Sequence, residues 1–349
     1  MIIPYLSIFA TTLFTIVAIA ISRKIALSIN LLDFPGQRKM HQGPVPLIGG
    51  LSMFVGIFFG FIMLPVSMVN FGYLILAIFI LVLVGSFDDY RSISVQTRLI
   101  FQSFAAFMMV FFAEVSVESI GNLNGSGDIL LFHWSVLFSL IAVIGSINAV
   151  NMMDGMHGLA GGQSLISFLA ILFLTYINNN FLGFAIALIF SFALIPFMIE
   201  NLCIFRSEDK RIFMGDAGSM MLGLGIVWLL VENSQGPTRS FAPVTALWIF
   251  SIPLIDFFST IFRRLIKKQS PFKPDRGHLH HILIEKGFND LQSLLIILTL
   301  TLIVVIVGVL GELFKVSEWK MFYGFIIIFL IYSFYISYSW KLIHSSSIK

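Results

Sequence analysis

The sequence predicts an all-α polytopic integral membrane protein of about 11 transmembrane helices, with the N-terminus outside and the C-terminus in the cytoplasm. Three observations lead there. Hydrophobic residues make up 58% of the 349-residue chain and charged residues 11%, against about 25% charged in a soluble domain. Mean hydropathy is +0.97. Uncharged stretches recur along the whole chain at a length suited to crossing a ~30 Å hydrocarbon core, which takes roughly 20 helical residues. A large soluble domain is excluded, and the chain reads as one membrane-embedded domain, 1–349.

The elements follow in order. Met1 to Ser22 carries no charged side chain, and Arg23-Lys24 comes after the apolar run; a cleaved signal peptide has its positive charge first, so this reads as a retained span. Further spans fit Pro46 to Met68, Phe71 to Phe87, Leu99 to Ala113 and Ile129 to Ile147. The uncharged run from Gly155 to Ile199 is too long for one helix and divides at Asn178-Asn179-Asn180. Ala217 to Val231, Phe241 to Phe262, Leu291 to Leu310 and Met321 to Trp340 complete the set. A basic cytoplasmic loop is expected over about 263–290.

Alternating loops provide a test of this assignment. One set holds 18 of the 21 Lys and Arg residues, the other only Arg239, Lys315 and Lys320. The positive-inside bias places the rich set, and with it the C-terminus, in the cytoplasm. A net charge of +3 is too small to suggest nucleic-acid binding, and the single Cys203 allows no intrachain disulfide.

Polar residues at the ends of spans are costly unless something compensates them, and they cluster on the cytoplasmic side. Asp88 and Asp89 sit together at the end of the third span, where mutual repulsion and the helix dipole are both unfavourable; Arg91 and Arg98 follow, and a solvated, neutralised helix end is the plainer reading. Asn148, Asn151, Asp154 and His157 recur at intervals of three, so helical geometry lines them on one stripe. That stripe suits a ligand wall, or a polar seam between helices. Asp216, flanked by glycines at the start of the eighth span, reads as an N-cap or as a Mg²⁺ ligand beside a phosphate-binding helix N-terminus. In the long loop Arg276, His278, His280 and His281 suit a phosphate or a sugar hydroxyl better than zinc. Arg38 and Lys39 lie in a polar connector after the first span, and Asp256, inside the ninth, reads as a helix-packing partner. Carboxylates, cations and a glycine-flanked helix start on one face suit phosphate chemistry with Mg²⁺ at a lipid surface.

Asp88-Asp89, the Asn-x-x-Asn-x-x-Asp-Gly run at 148–155, Phe213-Met-Gly-Asp-Ala-Gly-Ser219 and His278-Leu-His-His281 together resemble the polyprenyl-phosphate N-acetylhexosamine-1-phosphate transferases, in order and over nearly the whole chain. Arg38-Lys39-Met-His41-Gln-Gly and Ser270-Pro-Phe-Lys-Pro-Asp-Arg276 resemble its bacterial N-acetylglucosamine branch. The resemblance implies transfer of N-acetylglucosamine 1-phosphate from UDP-N-acetylglucosamine to undecaprenyl phosphate, at the cytoplasmic face of a bacterial inner membrane. The product would be the first lipid-linked sugar of O-antigen or enterobacterial common antigen. It implies Mg²⁺, or Mn²⁺ in its place, on Asp216 with Asn151. Asp88 and Asp89 fall to catalysis together with Asp216. Substrate binding falls to Arg38, Lys39, Arg98, Asn148, Asp154, His157, Arg276, His278, His280 and His281. A homodimer is left open. Two positions depart from the family pattern: Ser92 stands where an aspartate is common after the acidic pair, and His157 where a second aspartate is common after Asp154-Gly155. Transfer of another UDP-N-acetyl sugar, transport of a phosphorylated or lipid-linked cargo, and a catalytically dead scaffold are the alternatives.

Overall fold

A computed structural model describes residues 3–34, 43–207, 210–270 and 277–346. The expectations for Arg38, Lys39 and Arg276 fall outside the described residues. Thirteen α-helices are described: α1 (Tyr5–Ile29), α2 (Gly49–Ile62), α3 (Gly72–Tyr90), α4 (Val95–Phe107), α5 (Ser135–Met153), α6 (Leu159–Ile177), α7 (Phe181–Asn201), α8 (Gly215–Ser234), α9 (Pro243–Ile249), α10 (Ser251–Ile266), α11 (Leu279–Glu285), α12 (Asp290–Leu313) and α13 (Glu318–Ser346). A two-residue antiparallel pair, β1 (Leu32–Asp33) and β2 (Val45–Pro46), is the only sheet among the described residues.

Nine of the described helical segments are long and apolar enough to cross a membrane, α4 among them with its π-helical continuation through Phe112, and the chain is a multi-pass membrane protein. The α9–α10 pair would make a tenth if counted as one span, and α2 is a shorter apolar helix of 14 residues. The division expected at Asn178–Asn180 is present: α6 ends at Ile177, and the Asn180 side chain caps α7 by accepting the Gly183 N–H at 3.1 Å. The stretch expected as a span over Phe241 to Phe262 is built from two helices meeting at 83° around Phe250. Ser167 of α6 donates to the Ile249 carbonyl at 3.0 Å, satisfying one acceptor freed by the break. The expected loop after it contains α11.

The core forms around α8, which is buried along nearly its whole length between α3, α5 and α7. Gly85 of α3 sits so close to Ala217 of α8 that no side chain fits between them. A second apolar cluster, including Trp248, Ile255, Leu283, Ile297 and Phe325, joins α9–α13. Large apolar side chains left exposed, such as Phe107, Phe262, Leu302 and Phe334, face outward along the spans, as lipid-facing positions require.

Short links set where the helices begin. Phe213 N–H donates to the Pro46 carbonyl and Gly49 N–H to the Phe213 carbonyl, both at 2.9 Å, fixing the start of α8 beside the start of α2. At the same end, Arg23 of α1 pairs with Glu200 of α7 at 2.7 Å, and Arg206 pairs with the same carboxylate at 3.1 Å.

A candidate active site at one end of the helix bundle

The close approach of α3 and α8 brings the acidic pair to the first turn of α8. Asp89 Oδ1 accepts the Asp216 N–H at 2.9 Å, and Oδ2 accepts the Ala217 N–H at 3.4 Å. The carboxylate thereby serves N–H groups that α8 itself cannot satisfy, at the positive end of its dipole. Gly215 has φ +70°, and a Cβ there would run into the Asp89 carboxylate; only glycine combines that backbone with that neighbour. Asp89 is therefore built into the site as the anchor of α8. Asp216 lies within the first turn and is not its cap, so its own carboxylate is turned to other partners.

Those partners come from α4 and α5. Asn151 Nδ2 donates to Asp216 Oδ1 at 2.5 Å and to Ser219 Oγ at 2.9 Å. Arg98 places one guanidinium nitrogen 3.3 Å from Asp88 Oδ2 and 3.7 Å from Asp216 Oδ2. Asp88 is nearly buried, and its other oxygen accepts the Ile93 N–H at 2.8 Å, holding the turn between α3 and α4. Asn148, one turn before Asn151, donates to Gln102 Oε1 and to the Ile144 carbonyl, both at 2.7 Å. It joins α4 to α5 below the carboxylates.

The stripe ends in a turn that meets the histidine segment. Asp154 terminates α5, and Gly158 adopts φ +76° before α6. Asn201 of α7 accepts the Gly158 N–H and donates to the Ile212 carbonyl, both at 2.7 Å, tying this turn to the segment before α8. The His157 ring stacks on Phe213 with centroids 5.1 Å apart. A Cβ on Gly155 would lie 2.7 Å from His280 Nε2, so the histidine segment rests directly on the turn after Asp154. His280 is 2% exposed, and neither ring nitrogen has a hydrogen-bond partner among the described residues. Burial, with His281 and His278 beside it, lowers its pKa to about 3, so it is neutral at physiological pH. His278 is also buried and is bonded through Nδ1 to Asp256 Oδ2 at 2.6 Å, while His281 is partly exposed.

Four carboxylates thus share one end of the bundle: Asp88, Asp89, Asp154 and Asp216. The Asp154 side chain keeps solvent access although protein crowds it; desolvation and then the Asp216 charge push its pKa up to about 7. One guanidinium, Arg98, stands in ion-pair reach of two of the four. This excess of oxygen donors suits a hard divalent cation, which takes one or two carboxylates and completes its shell with water and phosphate oxygens. Asp216 is the carboxylate best placed for that. Asn151 turns its N–H toward Asp216, steadying the carboxylate it is expected to assist. Among the described residues no group of three or more His, Cys, Asp or Glu is arranged to hold a metal alone.

Of the expected site residues that are described, Asp88, Asp89, Arg98, Asn151, Asp154 and Asp216 gather here. His157, His278, His280 and His281 flank the 154–158 turn, and Asn148 lies one helical turn deeper. Sequence reasoning did not single out Gln102, Asn201, Ser219 or Phe213 as partners of these groups. Gln102 and Asn201 are both buried amides, Gln102 within the apolar half of α4 and Asn201 at the end of α7.

The glycosyl transferase family 4 profile matches residues 71–234, the span from α3 to α8 that supplies all four carboxylates and Arg98. The likeness to individual proteins runs further. An undecaprenyl-phosphate alpha-N-acetylglucosaminyl 1-phosphate transferase of Haemophilus influenzae is 40% identical over 340 residues, 97% of this chain and 95% of that protein. Proteins described by the same words from Salmonella typhi and Escherichia coli strain K12 are each 38% identical over 94% of this chain and 90% of their own lengths. With that likeness spanning nearly all of this chain and of each relative, the chain belongs to glycosyl transferase family 4.

Proposed function

We propose that the protein transfers N-acetylglucosamine 1-phosphate from UDP-N-acetylglucosamine to undecaprenyl phosphate, releasing UMP. The observation that carries this reading is the convergence of Asp88, Asp154, Asp216 and Arg98 beside the anchored N-terminus of α8, in a chain so similar to transferases of that description. The acceptor's phosphate oxygen attacks the β-phosphorus of the donor, the bond between that phosphorus and the bridging oxygen breaks, and the electron pair leaves with UMP. The nucleophile is already anionic near neutral pH, so positioning and charge neutralisation supply most of the acceleration.

Asp216 would hold Mg²⁺, with Asn151 beside it, and the ion would neutralise charge on the donor diphosphate. Arg98, paired with both Asp88 and Asp216, contacts phosphate oxygens and offsets the charge of the two carboxylates. Asp88 orients the attacking phosphate. Asp89 acts indirectly, by fixing the first turn of α8 and so the direction of the Asp216 carboxylate. Asp154 and His157 face the nucleotide, and the histidine segment closes over diphosphate and sugar.

Counting α2 and the α9–α10 pair as crossings gives 11 spans, with the site in the cytoplasm of a bacterial inner membrane; 18 Lys and Arg residues on that side against three on the other support it. The product would begin a lipid-linked cell-surface polysaccharide. Purified protein given undecaprenyl phosphate, Mg²⁺ and UDP-N-acetylglucosamine is expected to release UMP in proportion to lipid-linked sugar. UDP-N-acetylgalactosamine and UDP-N-acetylfucosamine, offered separately, test sugar choice. No UMP from any of the three in folded protein overturns the assignment.

A further inference from the structure

Asp256 lies inside α10, 1% exposed, at a depth where an isolated carboxylate is expensive. Each of its oxygens accepts one short hydrogen bond. His278 Nδ1 donates to Oδ2 at 2.6 Å, and the Tyr332 hydroxyl of α13 donates to Oδ1 at 2.6 Å. The three groups are all nearly buried and come from α10, the start of α11 and α13. His278 is the N-cap residue of α11 yet makes no side-chain cap, because its ring is drawn down to Asp256. An ionised carboxylate only accepts, so Nδ1 carries the hydrogen of this bond.

The far end of α11 is held on the same helix. Lys286, which terminates α11, donates to Tyr335 Oη at 2.9 Å and to Ser339 Oγ at 3.1 Å. Tyr332, Tyr335 and Ser339 recur at helical spacing on α13. The histidine segment is therefore clamped at both ends to α13, at one end through Asp256. From His278 the contact continues to His280, whose ring lies parallel at 5.8 Å, and from His280 to Gly155 next to Asp154.

We infer that Asp256, with Tyr332, is a positioning residue of the transferase: it fixes the tautomer and rotation of His278 and sets the height of the histidine segment over the 154–158 turn. A carboxylate oriented on one nitrogen of a histidine governs what the other nitrogen can do; at metal-bound histidines, losing such a partner commonly costs about 10–100-fold in affinity or activity, and an effect of that order is expected here. The inference rests on the proposed transfer reaction for its role, although the clamp itself is independent of it.

The test compares Asp256→Asn, Tyr332→Phe, His278→Asn and the double variant Asp256→Asn/His278→Asn in lipid nanodiscs. Asparagine keeps the shape but offers one acceptor oxygen to two donors. Asp256→Asn is expected to lower kcat/KM for the UDP sugar about 10–100-fold, with KM for the acceptor lipid unchanged. Tyr332→Phe is expected to show the same split at smaller size, and the double variant to be no worse than His278→Asn alone. Wild-type kinetics in Asp256→Asn, equal damage toward both substrates, or multiplying effects in the double variant overturn the inference. Hydrogen exchange of residues 277–285 decides the case if His278→Asn is inactive. Faster exchange confined to that segment in Asp256→Asn supports the clamp, and unchanged exchange refutes it. Absence of transfer by the wild type defeats the proposed reaction, while the exchange measurement still tests the clamp.

Discussion

Gly155→Ala isolates the contact between the carboxylate turn and the histidine segment. Gly155 has no positive φ, so alanine costs nothing through backbone strain. The added Cβ, however, meets His280 Nε2 at 2.7 Å, roughly 0.7 Å inside ordinary contact. The His280 ring has little room to retreat, being 2% exposed with the His281 ring centroid 4.1 Å away. Overpacking of this kind costs about 1–3 kcal/mol. Chemical unfolding in mixed micelles should show that loss, and kcat/KM for the UDP sugar should fall as the segment lifts from the turn. In a His280→Ala background the obstruction is gone, and the same substitution should cost less than about 0.5 kcal/mol. Equal costs in both backgrounds would mean that His280 does not rest on Gly155, and the site would lose its link to the histidine segment.

Three further outcomes follow from the geometry. Arg98→Ala removes the guanidinium that pairs with both Asp88 and Asp216 and leaves their charges uncompensated; turnover should fall about 10²–10³-fold, with Arg98→Lys recovering part of it in a UMP-release assay. His280 is held neutral in the fold, with a pKa of about 3 against 6.5 for a free histidine. It therefore adds no pH dependence above pH 6.5, and between pH 6.5 and 3 the unfolded chain gains a proton that the folded chain refuses. Stability measured by unfolding should decline by up to ~1.4 kcal/mol per pH unit across that window, and His280→Gln should flatten the decline. Glu312 of α12 accepts the Ala242 N–H at 3.0 Å and the Thr245 hydroxyl at 2.5 Å, fastening α9 at the opposite end of the bundle. Glu312→Ala should lower stability by about 1–3 kcal/mol and leave KM for the UDP sugar unchanged.

Composition carries most of the helix pattern, because lipid demands long apolar segments and tolerates few charges between them. The break at Phe250 gives no signal in composition; its mark in the sequence is Pro253, which lacks the N–H that the Ile249 carbonyl would receive, and packing against α6 and α12–α13 holds the 83° bend. The acidic and histidine clusters are legible as clusters, since each is a run of polar residues at a span end. What each member does is decided by partners far away in the chain. Asp89 and Asp88 are neighbours in sequence, yet one anchors α8 through Asp216 N–H and the other faces Arg98. Asp256 reads as a packing residue until His278, 22 residues on, and Tyr332, 76 residues on, are seen to share its two oxygens. Asn148 belongs to a regular stripe with Asn151 and Asp154, and the fold separates them by giving Asn148 to Gln102.

The central claim is that this end of the bundle breaks the donor between its two phosphorus atoms. The direct measurement supplies UDP-N-acetylglucosamine labelled at the β-phosphorus, with undecaprenyl phosphate and Mg²⁺, and follows the label in wild-type protein and in Asp216→Asn. The account predicts label in the lipid fraction, unlabelled UMP in equal amount, and loss of both in the variant. Label leaving with the nucleotide as UDP, or undiminished transfer by Asp216→Asn, would contradict it.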